Sequence, residues 1–372
     1  MLVALVASAA ILTVWVGYPL IIAGLAALRR DGAPATDDLP PVTVVVATRD
    51  DPAVVRQRVA DVLAGDYPAD RLDVVVGLDV GGGAPDVARF GELDARVRLV
   101  AGDAPGGKAA TLNAAVRAAT GEVLVFTDAG QRFDRAAIRH LVGGLRQART
   151  AAASGRLEIP AGEDGPSLSE RYWRYERWVR RSEARVHSPV GVTGAVYAMR
   201  RARWTPLPAG LILDDLWVPM RLVLDGHRVG FVDAARARDT RRFDAQQEFR
   251  RKARTLTGVV QLCAWMPGVL LPWRNPIWAQ FVAHKLLRLL TPYLLVVAAL
   301  GASVELVLRL RTAPRLAAAV AVGVAAVALL VAARPALRRR VRGAAEQMLA
   351  LQLAVVVATV NGARGRWDVW HR

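Results

Sequence analysis

Long apolar runs lie at both ends of the chain and leave a central region with a different pattern. Residues 2–28 contain no charged side chain and are followed by Arg29 and Arg30. About 20 apolar residues suffice to span a bilayer, so this run predicts an N-terminal transmembrane anchor over residues 1–30. A cleaved signal peptide would carry its basic residues before the apolar run rather than after it.

The C-terminal region, residues 286–372, contains further apolar runs. Those at 286–308 and 316–333 are predicted to span the membrane, although a buried Ala- and Val-rich core helix would also give the second run. The shorter run at 347–360 fits a helix that spans, re-enters or lies flat. Basic residues favour the cytoplasmic side, so the arginines after residue 28 and between 334 and 342 predict a multi-pass plasma-membrane protein whose central region is cytoplasmic.

The central region alternates between two patterns. Continuous apolar runs rich in valine and leucine predict strands that are covered on both faces. These strands are predicted at 42–47, 72–78, 97–101 and 123–127. Helical spacing occurs at 50–64 and at 111–119, where Gly121 is expected to end the helix. Strand–helix alternation with short connections predicts an α/β fold with a mostly parallel sheet, in which ligands bind at the carboxyl ends of the strands.

Polar residues follow three of these strands at the point where each one ends. Thr48 and Asp50 follow the first strand, Asp79 follows the second, and Asp128 follows the fourth. Carboxylates thus converge on one edge of the sheet in a protein with an excess of basic residues. A nucleoside diphosphate held by Mg²⁺ or Mn²⁺ would explain them, because hard cations bind carboxylate and phosphate oxygens.

The net charge is large and positive, and the positions of the basic residues decide its meaning. The 372 residues include 50 Lys and Arg against 33 Asp and Glu, a formal charge of +17. Much of the arginine lies beside the apolar runs, and the central region has no basic stripe with interleaved aromatic residues, so no nucleic-acid partner is expected. The single cysteine excludes a disulfide framework or a Cys-based zinc site, and the five histidines lack ligand spacing.

Aromatic residues are concentrated in two places. Residues 259–285 contain three tryptophans and three prolines. The prolines exclude one long helix, and the tryptophans suit short helices in the headgroup layer, with an ordinary linker as the alternative. The aromatic residues between 172 and 178 lie on an arginine-rich helical stretch, where stacking on a sugar acceptor and contact with membrane lipids are both compatible with the pattern.

Short segments of the central region resemble the motifs of the family 2 glycosyltransferases, an inverting group that includes membrane-bound polysaccharide synthases. The segments are VVVATRDD at 44–51, GLDVGGG at 77–83, GGKAATLN at 106–113, GEVLVFTDAG at 121–130, GVTGAVYAMRR at 191–201, LDDL at 213–216 and QEFRRKAR at 247–254. They follow the family order. The resemblance extends over about residues 40–290 and implies a GT-A-type nucleotide-sugar-binding domain, which we place at 40–258.

The resemblance implies roles on the donor side of the site. Thr48 and Asp50 would lie against the nucleotide, and Asp79 would contact the uridine or ribose of a UDP-sugar. Asp128 would hold the divalent cation, Mg²⁺ or Mn²⁺, that bridges the diphosphate. Lys108 would face the diphosphate, and it is one of only three lysines in the chain. A compact ammonium at that position is not interchangeable with a guanidinium.

The resemblance also implies roles on the acceptor side. Asp215 would be the general base that deprotonates the acceptor hydroxyl, with Asp214 beside it, although the pair could instead cap a helix. Gln247, Arg250 and Arg251 occupy the place of the Gln-x-x-Arg-Trp box, and the arginines would neutralise the leaving diphosphate. An inverting displacement needs a carboxylate base and charge stabilisation of the leaving group, but no enzyme nucleophile.

The sequence departs from the family pattern at two motifs. The metal motif reads Asp128-Ala129-Gly130 without a second aspartate, which leaves Gln131 or water as the second ligand. The arginine box lacks the tryptophan that lines the acceptor channel of processive synthases. We therefore expect one or few transfers to a lipid-linked or glycan acceptor in cell-envelope or exopolysaccharide synthesis. A non-catalytic sugar-nucleotide-binding scaffold of a polysaccharide assembly complex is the alternative.

Overall fold

The computed structural model describes residues 2–29, 39–80, 83–84, 86–159, 168–239 and 245–368. The chain forms two compact units. The sheet unit comprises Ile21–Arg242, Gly258–Val282 and Arg366–Arg372, and the helical unit comprises Met1–Leu20, Phe243–Thr257 and Ala283–Gly365. Three residues of the predicted motifs and charge signals lie outside the described residues: Arg30, Gly81 and Gly82. The last residues of the predicted C-terminal region, 369–372, also lie outside them.

An eight-stranded mixed sheet forms the centre of the sheet unit, in the order β3-β2-β1-β4-β7-β6-β8-β5. The strands are β1 Val42–Thr48, β2 Leu72–Leu78, β3 Val97–Ala101, β4 Val123–Thr127, β5 Gln131–Phe133, β6 Thr150–Glu158, β7 Tyr197–Arg200 and β8 Arg228–Asp239. The first four strands are parallel, and β8 is parallel to β6. The other neighbouring pairs are antiparallel. The predicted α/β fold is confirmed, and its parallel part lies mainly in β1 to β4.

Helices cover the sheet and make up most of the helical unit. The longer helices are α1 Leu2–Ala27, α2 Pro52–Leu63, α3 Lys108–Ala118, α4 Ala137–Gly144, α5 Leu168–Val186, α6 Asp214–Leu224, α7 Ala245–Trp265, α8 Thr291–Thr312, α9 Pro314–Ala333 and α10 Pro335–Ala363. A π-helical turn at Thr13–Gly17 lies inside α1. Both helices expected between the first four strands are present, with α3 beginning at Lys108 rather than at Thr111.

Two glycines let neighbouring elements approach the parallel strands closely. A Cβ at Gly77 in β2 would lie 2.7 Å from Thr111 Cγ2, so α3 packs directly on this strand. A Cβ at Gly121 would lie 2.5 Å from the backbone nitrogen of Thr43 in β1. The expectation that Gly121 ends the helix is wrong, because α3 ends at Ala118 and its cap is Ala119 in an extended conformation. Gly121 instead allows the chain to enter β4 against β1.

In the helical unit, α1 and α8 pack against each other in opposite directions. A Cβ at Gly301 would lie 3.1 Å from the Cβ of Ala4, and the indole N–H of Trp15 donates to Thr291 Oγ1 at 3.0 Å. Residues near the start of α1 therefore lie beside the middle of α8, and the middle of α1 lies beside the start of α8. Small residues at such a contact allow two helix backbones to approach closely.

Among the described residues, three helical segments are long and apolar enough to cross a membrane: Leu2–Ala27, Thr291–Thr312 and Leu337–Ala363. Ala318–Ala333 is a shorter apolar helix. The run at 347–360 belongs to the third segment. A single residue, Arg334, separates α9 from α10, and the arginines that follow lie on the first turns of α10. The cytoplasmic location of these arginines stays a prediction.

The prolines between 259 and 285 interrupt the helical structure as expected. Helix α7 continues to Trp265, a 3-10 turn follows at Pro267–Leu270, and helical structure resumes at Trp278. Trp273 is exposed between these segments. An interfacial location for this segment stays a prediction.

Candidate active site

The carboxyl ends of β1 and β2 bring Thr48, Asp50 and Asp79 together. The backbone N–H of Asp79 donates to Thr48 O at 3.0 Å, and the Thr48 hydroxyl donates to Asp50 Oδ2 at 3.0 Å. The Asp79 carboxylate is almost fully buried and accepts hydrogen bonds from Gly107 N at 2.9 Å and from Arg49 Nε at 2.6 Å. Asp79 thus fixes the glycine loop before α3, and its predicted contact with the nucleotide stays a prediction.

Lys108 is the first residue of α3 and points towards the end of β4. Gly106 and Gly107 precede it with φ angles of +92° and +91°, a left-handed conformation that glycine adopts without strain. Its ammonium Nζ lies 3.4 Å from Asp128 Oδ1 and 3.2 Å from Asp214 Oδ1. A lysine in the first turn opposes the helix dipole, so these carboxylates, rather than helix stability, account for its position.

The surroundings of Lys108 keep it charged. Burial acts against the ammonium, but the carboxylates of Asp128, Asp214 and Asp215 outweigh it and raise the pKa of Lys108 well above its usual value. One cation therefore joins the end of β4, where the predicted metal ligand lies, to the start of α6, where the predicted base lies. The structure brings these four predicted site residues together.

Asp214 and Asp215 are the first two residues of α6. Leu213 is the N-cap and neither aspartate makes a side-chain cap hydrogen bond, so the alternative role as helix caps is wrong, although the helix dipole stabilises both carboxylates. Burial is the main cause that raises the pKa of Asp215 to about 6, and repulsion from Asp214 is the second cause. The positive charges of Lys108 and Arg180 act in the opposite direction and lower this pKa. A carboxylate with this pKa can accept a proton near neutral pH.

The glycine motif at 191–201 packs against Asp215. The backbone N–H of Val192 donates to Asp215 O at 2.9 Å. A Cβ at Gly194 would lie 3.3 Å from Asp215 Cβ and 3.4 Å from Asp215 Oδ2. The motif therefore sets the position of the proposed base, and any side chain at Gly194 would push on its carboxylate.

Two residues near the site were not predicted. Arg180 of α5 donates to Thr193 Oγ1 at 3.2 Å, and its charge lowers the pKa of Asp215. Tyr197 of β7 stacks on Phe126 of β4 with ring centroids 4.6 Å apart. Its hydroxyl is buried and has no hydrogen-bond partner among the described residues. The position of Tyr197 inside the glycine motif was a signal that could have identified it, whereas nothing in the sequence distinguished Arg180 from the other arginines of α5.

The oxygen atoms of Asp128 and Gln131 decide whether the metal motif could hold a divalent cation. Within the described residues, no group of three or more His, Cys, Asp or Glu side chains is arranged to hold a metal ion. Asp128 offers one carboxylate. Gln131 is buried, its amide donates to Asp239 Oδ2 at 3.3 Å, and its Oε1 accepts no hydrogen bond among the described residues. One carboxylate and a spare amide oxygen fit a cation that takes its remaining ligands from a diphosphate and water, as Mg²⁺ usually does.

The arginine box lies in the helical unit. Gln247, Arg250 and Arg251 are exposed on the first turns of α7. Their contact with a leaving diphosphate stays a prediction.

A family model described as "Glycosyltransferase like family 2" matches residues 40–258, more than half of the chain. The chain belongs to glycosyltransferase family 2. This assignment, the GT-A fold and the enzyme class agree with the sequence predictions. A search of the curated proteins found no match.

A search of the solved structures found matches to this family 2 glycosyltransferase. One is described as the mannosyltransferase PcManGT from Pyrobaculum calidifontis in complex with GDP-Man and Mn²⁺. It is 22% identical with a TM-score of 0.69, over 98% of this chain and 99% of that one. A second, GalNAc-T7 with UDP, GalNAc and Mn²⁺, is 14% identical with a TM-score of 0.45, over 66% of this chain and 53% of that one. The first likeness spans both units and supports the GT-A fold.

Proposed function

We propose that this family 2 glycosyltransferase is a membrane-anchored inverting enzyme that transfers a sugar from a nucleoside diphosphate to a lipid-linked or glycan acceptor. The arrangement that supports this most strongly is the Lys108 ammonium between Asp128 and Asp214. It joins the donor-side carboxylate to the acceptor-side pair, so that both reactants would meet at one place. Holding two reactants together in this way removes much of the entropic barrier to their reaction.

The proposed reaction is a single displacement. The acceptor oxygen attacks the anomeric carbon while Asp215 takes the hydroxyl proton. The bond from that carbon to the diphosphate oxygen breaks, and the nucleoside diphosphate leaves with the electron pair. A divalent cation held by Asp128 would stabilise the charge on the diphosphate. Lys108 supplies a second positive charge at the same place, because its pKa keeps it protonated.

The donor is proposed to be a UDP-sugar, with a GDP-sugar as the competing choice. Asp79 and the glycine loop that it fixes form the nucleotide side of the site in this proposal. PcManGT, which resembles this chain in fold, is described with GDP-Man and Mn²⁺. Both nucleotides and Mn²⁺ therefore belong in the first donor assay.

We propose that the catalytic domain, residues 40–258, is cytoplasmic and that α1 and α8 are membrane spans. Because they pack antiparallel, the chain would leave α1 and enter α8 on the same side of the membrane. The intervening residues then need no further crossing. Arg29 follows the end of α1, and basic residues favour the cytoplasmic side. Cysteine labelling at residue 28 and at residue 313, just past the end of α8, tests this orientation in intact cells with a membrane-impermeant reagent and a background that lacks Cys263. Residue 313 should be labelled and residue 28 protected.

The function is tested by supplying membranes with radiolabelled UDP- and GDP-sugars and Mn²⁺, followed by lipid extraction. Label in the lipid phase supports a lipid-linked acceptor, and label in high-mass polymer supports a glycan acceptor. Asp128→Ala and Asp215→Asn should both abolish transfer while the protein still inserts into the membrane. Retained turnover in both variants would rule out the proposed site.

A further inference from the structure

A charged residue lies in the core beneath the metal motif. Arg58 of α2 is fully buried, on the face of the helix that also carries Val55, Val59 and Val62. Burial lowers the pKa of Arg58 to about 10, and the neighbouring Asp61 opposes that change. The guanidinium therefore stays charged at neutral pH. Placing a charge in the core costs folding free energy, and a hydrophobic residue of similar volume is often at least as stabilising.

Arg58 contacts both ends of the segment that contains Asp128. At one end its Nη2 donates to Thr127 Oγ1 at 2.9 Å, on the last residue of β4. At the other end its guanidinium lies 4.0 Å from the ring centroid of Phe133, in a cation–π contact with the last residue of β5. The contacted residues, Thr127 and Phe133, are six positions apart in the sequence, and Asp128 and Gln131 lie between them.

Asp61, one turn further along α2, completes this arrangement. Its carboxylate pairs with Arg58 Nη1, and its Oδ2 accepts a hydrogen bond from Phe133 N at 3.1 Å. Two side chains of one helix, α2, thus contact the first and the last residue of the segment Thr127–Phe133. Asp61 is partly buried, and its carboxylate is both paired and hydrogen-bonded.

We propose that Arg58 and Asp61 are positioning residues that hold the segment Thr127–Phe133 in the conformation in which Asp128 binds the divalent cation. This inference rests on the proposed function. Neither residue touches the reacting atoms. The segment Thr127–Phe133 contains one aspartate, Asp128, so the binding of the cation there depends on the placement of a single carboxylate. Outer-shell partners of metal ligands commonly change metal affinity by about 10- to 100-fold when they are removed.

The test compares Arg58→Met with Val59→Ala, a control that opens a small gap at a buried position of the same helix. Mn²⁺ binding is measured by electron paramagnetic resonance on the full-length protein in detergent with UDP, and then with GDP. We expect Arg58→Met to raise the Mn²⁺ dissociation constant about tenfold or more. The rate at saturating Mn²⁺ should fall much less. Val59→Ala should lower Tm but leave the Mn²⁺ constant within about twofold.

Amide hydrogen exchange supplies a readout that needs no metal. The amides of 128–133 should exchange faster in Arg58→Met than in Val59→Ala, because local opening of that segment becomes easier. If Arg58→Met fails to fold, two replacements take its place: Thr127→Val removes the Arg58 contact at one end, and Asp61→Ala removes the hydrogen bond from Phe133 N at the other. Each should raise the Mn²⁺ dissociation constant by a smaller factor. Unchanged Mn²⁺ binding in Arg58→Met, or in both replacements, would overturn the inference.

The outcomes separate this inference from the proposed function. If Asp128→Ala abolishes Mn²⁺ binding and Arg58→Met does not weaken it, only the positioning role fails. If Asp128→Ala binds Mn²⁺ as well as the unmodified protein does, the metal role of Asp128 fails, and the inference fails with it.

Discussion

The ammonium of Lys108 lies 3.2 Å from Asp214 Oδ1, and the same Nζ lies 3.4 Å from Asp128 Oδ1. Asp215 adds a third carboxylate, and its repulsion from Asp214 contributes to its raised pKa. Like charges this close are stable only with a cation between them or with one of them protonated. Lys108 is that cation in this structure, so it links the protonation of the proposed base to the donor side of the site.

Replacing Lys108 by Met is expected to move the pH dependence of transfer. Lys108 lowers the pKa of Asp215, so its removal should raise that pKa further above about 6. The acidic limb of kcat/KM should then move up by about 1 pH unit or more. The limb is measured by sugar transfer between pH 5 and pH 9. Arg117→Gln, on the same helix and paired with Asp103, is the matched control and should leave the limb in place.

An unmoved acidic limb in Lys108→Met at an undiminished rate, together with a normal limb in Arg117→Gln, would show that another group is the base. A loss of activity without any shift in the acidic limb of kcat/KM would mean that Lys108 acts only on the diphosphate.

Asp215→Asn is expected to stabilise the fold while it abolishes transfer. In the folded protein the pKa of Asp215 is raised from 3.8 to about 6. The folded state therefore binds this proton more tightly than the unfolded state does. The unmodified protein should lose stability as the pH rises from about 4 to about 6, by up to about 3 kcal/mol, and should stay at that lower level above it.

Asparagine cannot ionise, so the Asp215→Asn variant should not show this decrease in folding stability as the pH rises. The difference in Tm between the variant and the unmodified protein should increase from pH 4 to pH 7, as measured by calorimetry in detergent. Asp225→Asn, an exposed carboxylate at the end of the same helix, is the control. A difference in Tm that does not depend on pH would contradict the raised pKa.

The first half of the sheet could be predicted from the sequence because β1, β2 and β4 are buried on both faces. Their runs of Val and Leu have no other interpretation at that length. The later strands could not be predicted for the opposite reason. β6 is built largely from small residues, Thr150–Glu158, and β8 contains three arginines along its 12 residues. Their strand character depends on partners that the chain reaches only after folding.

The candidate site likewise contains residues that the sequence identified and residues that it did not. The carboxylates at the strand ends could be found, because parallel strands that end in Asp converge on one edge. Arg58 was missed although it had a signal, since it stands three residues after Val55 and four before Val62, on the face expected to be buried. The role of Gly121 was also misjudged, because local sequence predicts a helix end and only the packing against β1 reveals the close approach.

Two tyrosines should respond in opposite ways to the loss of a hydroxyl. The Tyr197 hydroxyl is buried without a partner among the described residues, whereas the Tyr67 hydroxyl donates to Pro40 O at 2.6 Å. An unsatisfied buried hydroxyl costs about 1–3 kcal/mol, and a made hydrogen bond contributes about 1 kcal/mol. Tyr197→Phe should therefore raise Tm and Tyr67→Phe should lower it. Both keep the ring, so the packing of Tyr197 on Phe126 is preserved in the comparison.

The two variants are measured together by calorimetry. A lower Tm for Tyr197→Phe would mean that the hydroxyl has a partner such as ordered water next to the carboxylates. Transfer assays would then show whether that partner positions Asp215.

Gly194→Ala is expected to impair catalysis more than stability. The new Cβ would lie 3.3 Å from Asp215 Cβ and 3.4 Å from its Oδ2, which is tight enough to displace the carboxylate by a few tenths of an ångström. No positive φ is required at Gly194, so the backbone tolerates alanine. A misplaced catalytic group can cost about 100-fold in rate, and we expect kcat to fall about tenfold or more with little change in donor KM.

Gly143→Ala, in α4 with no atom within 4 Å of its new Cβ, is the matched control and should keep full kcat with an equal or higher Tm. If Gly194→Ala retained full kcat, the contact between the glycine motif and Asp215 would have no part in placing the base, and the motif would serve only its own packing against the start of α6.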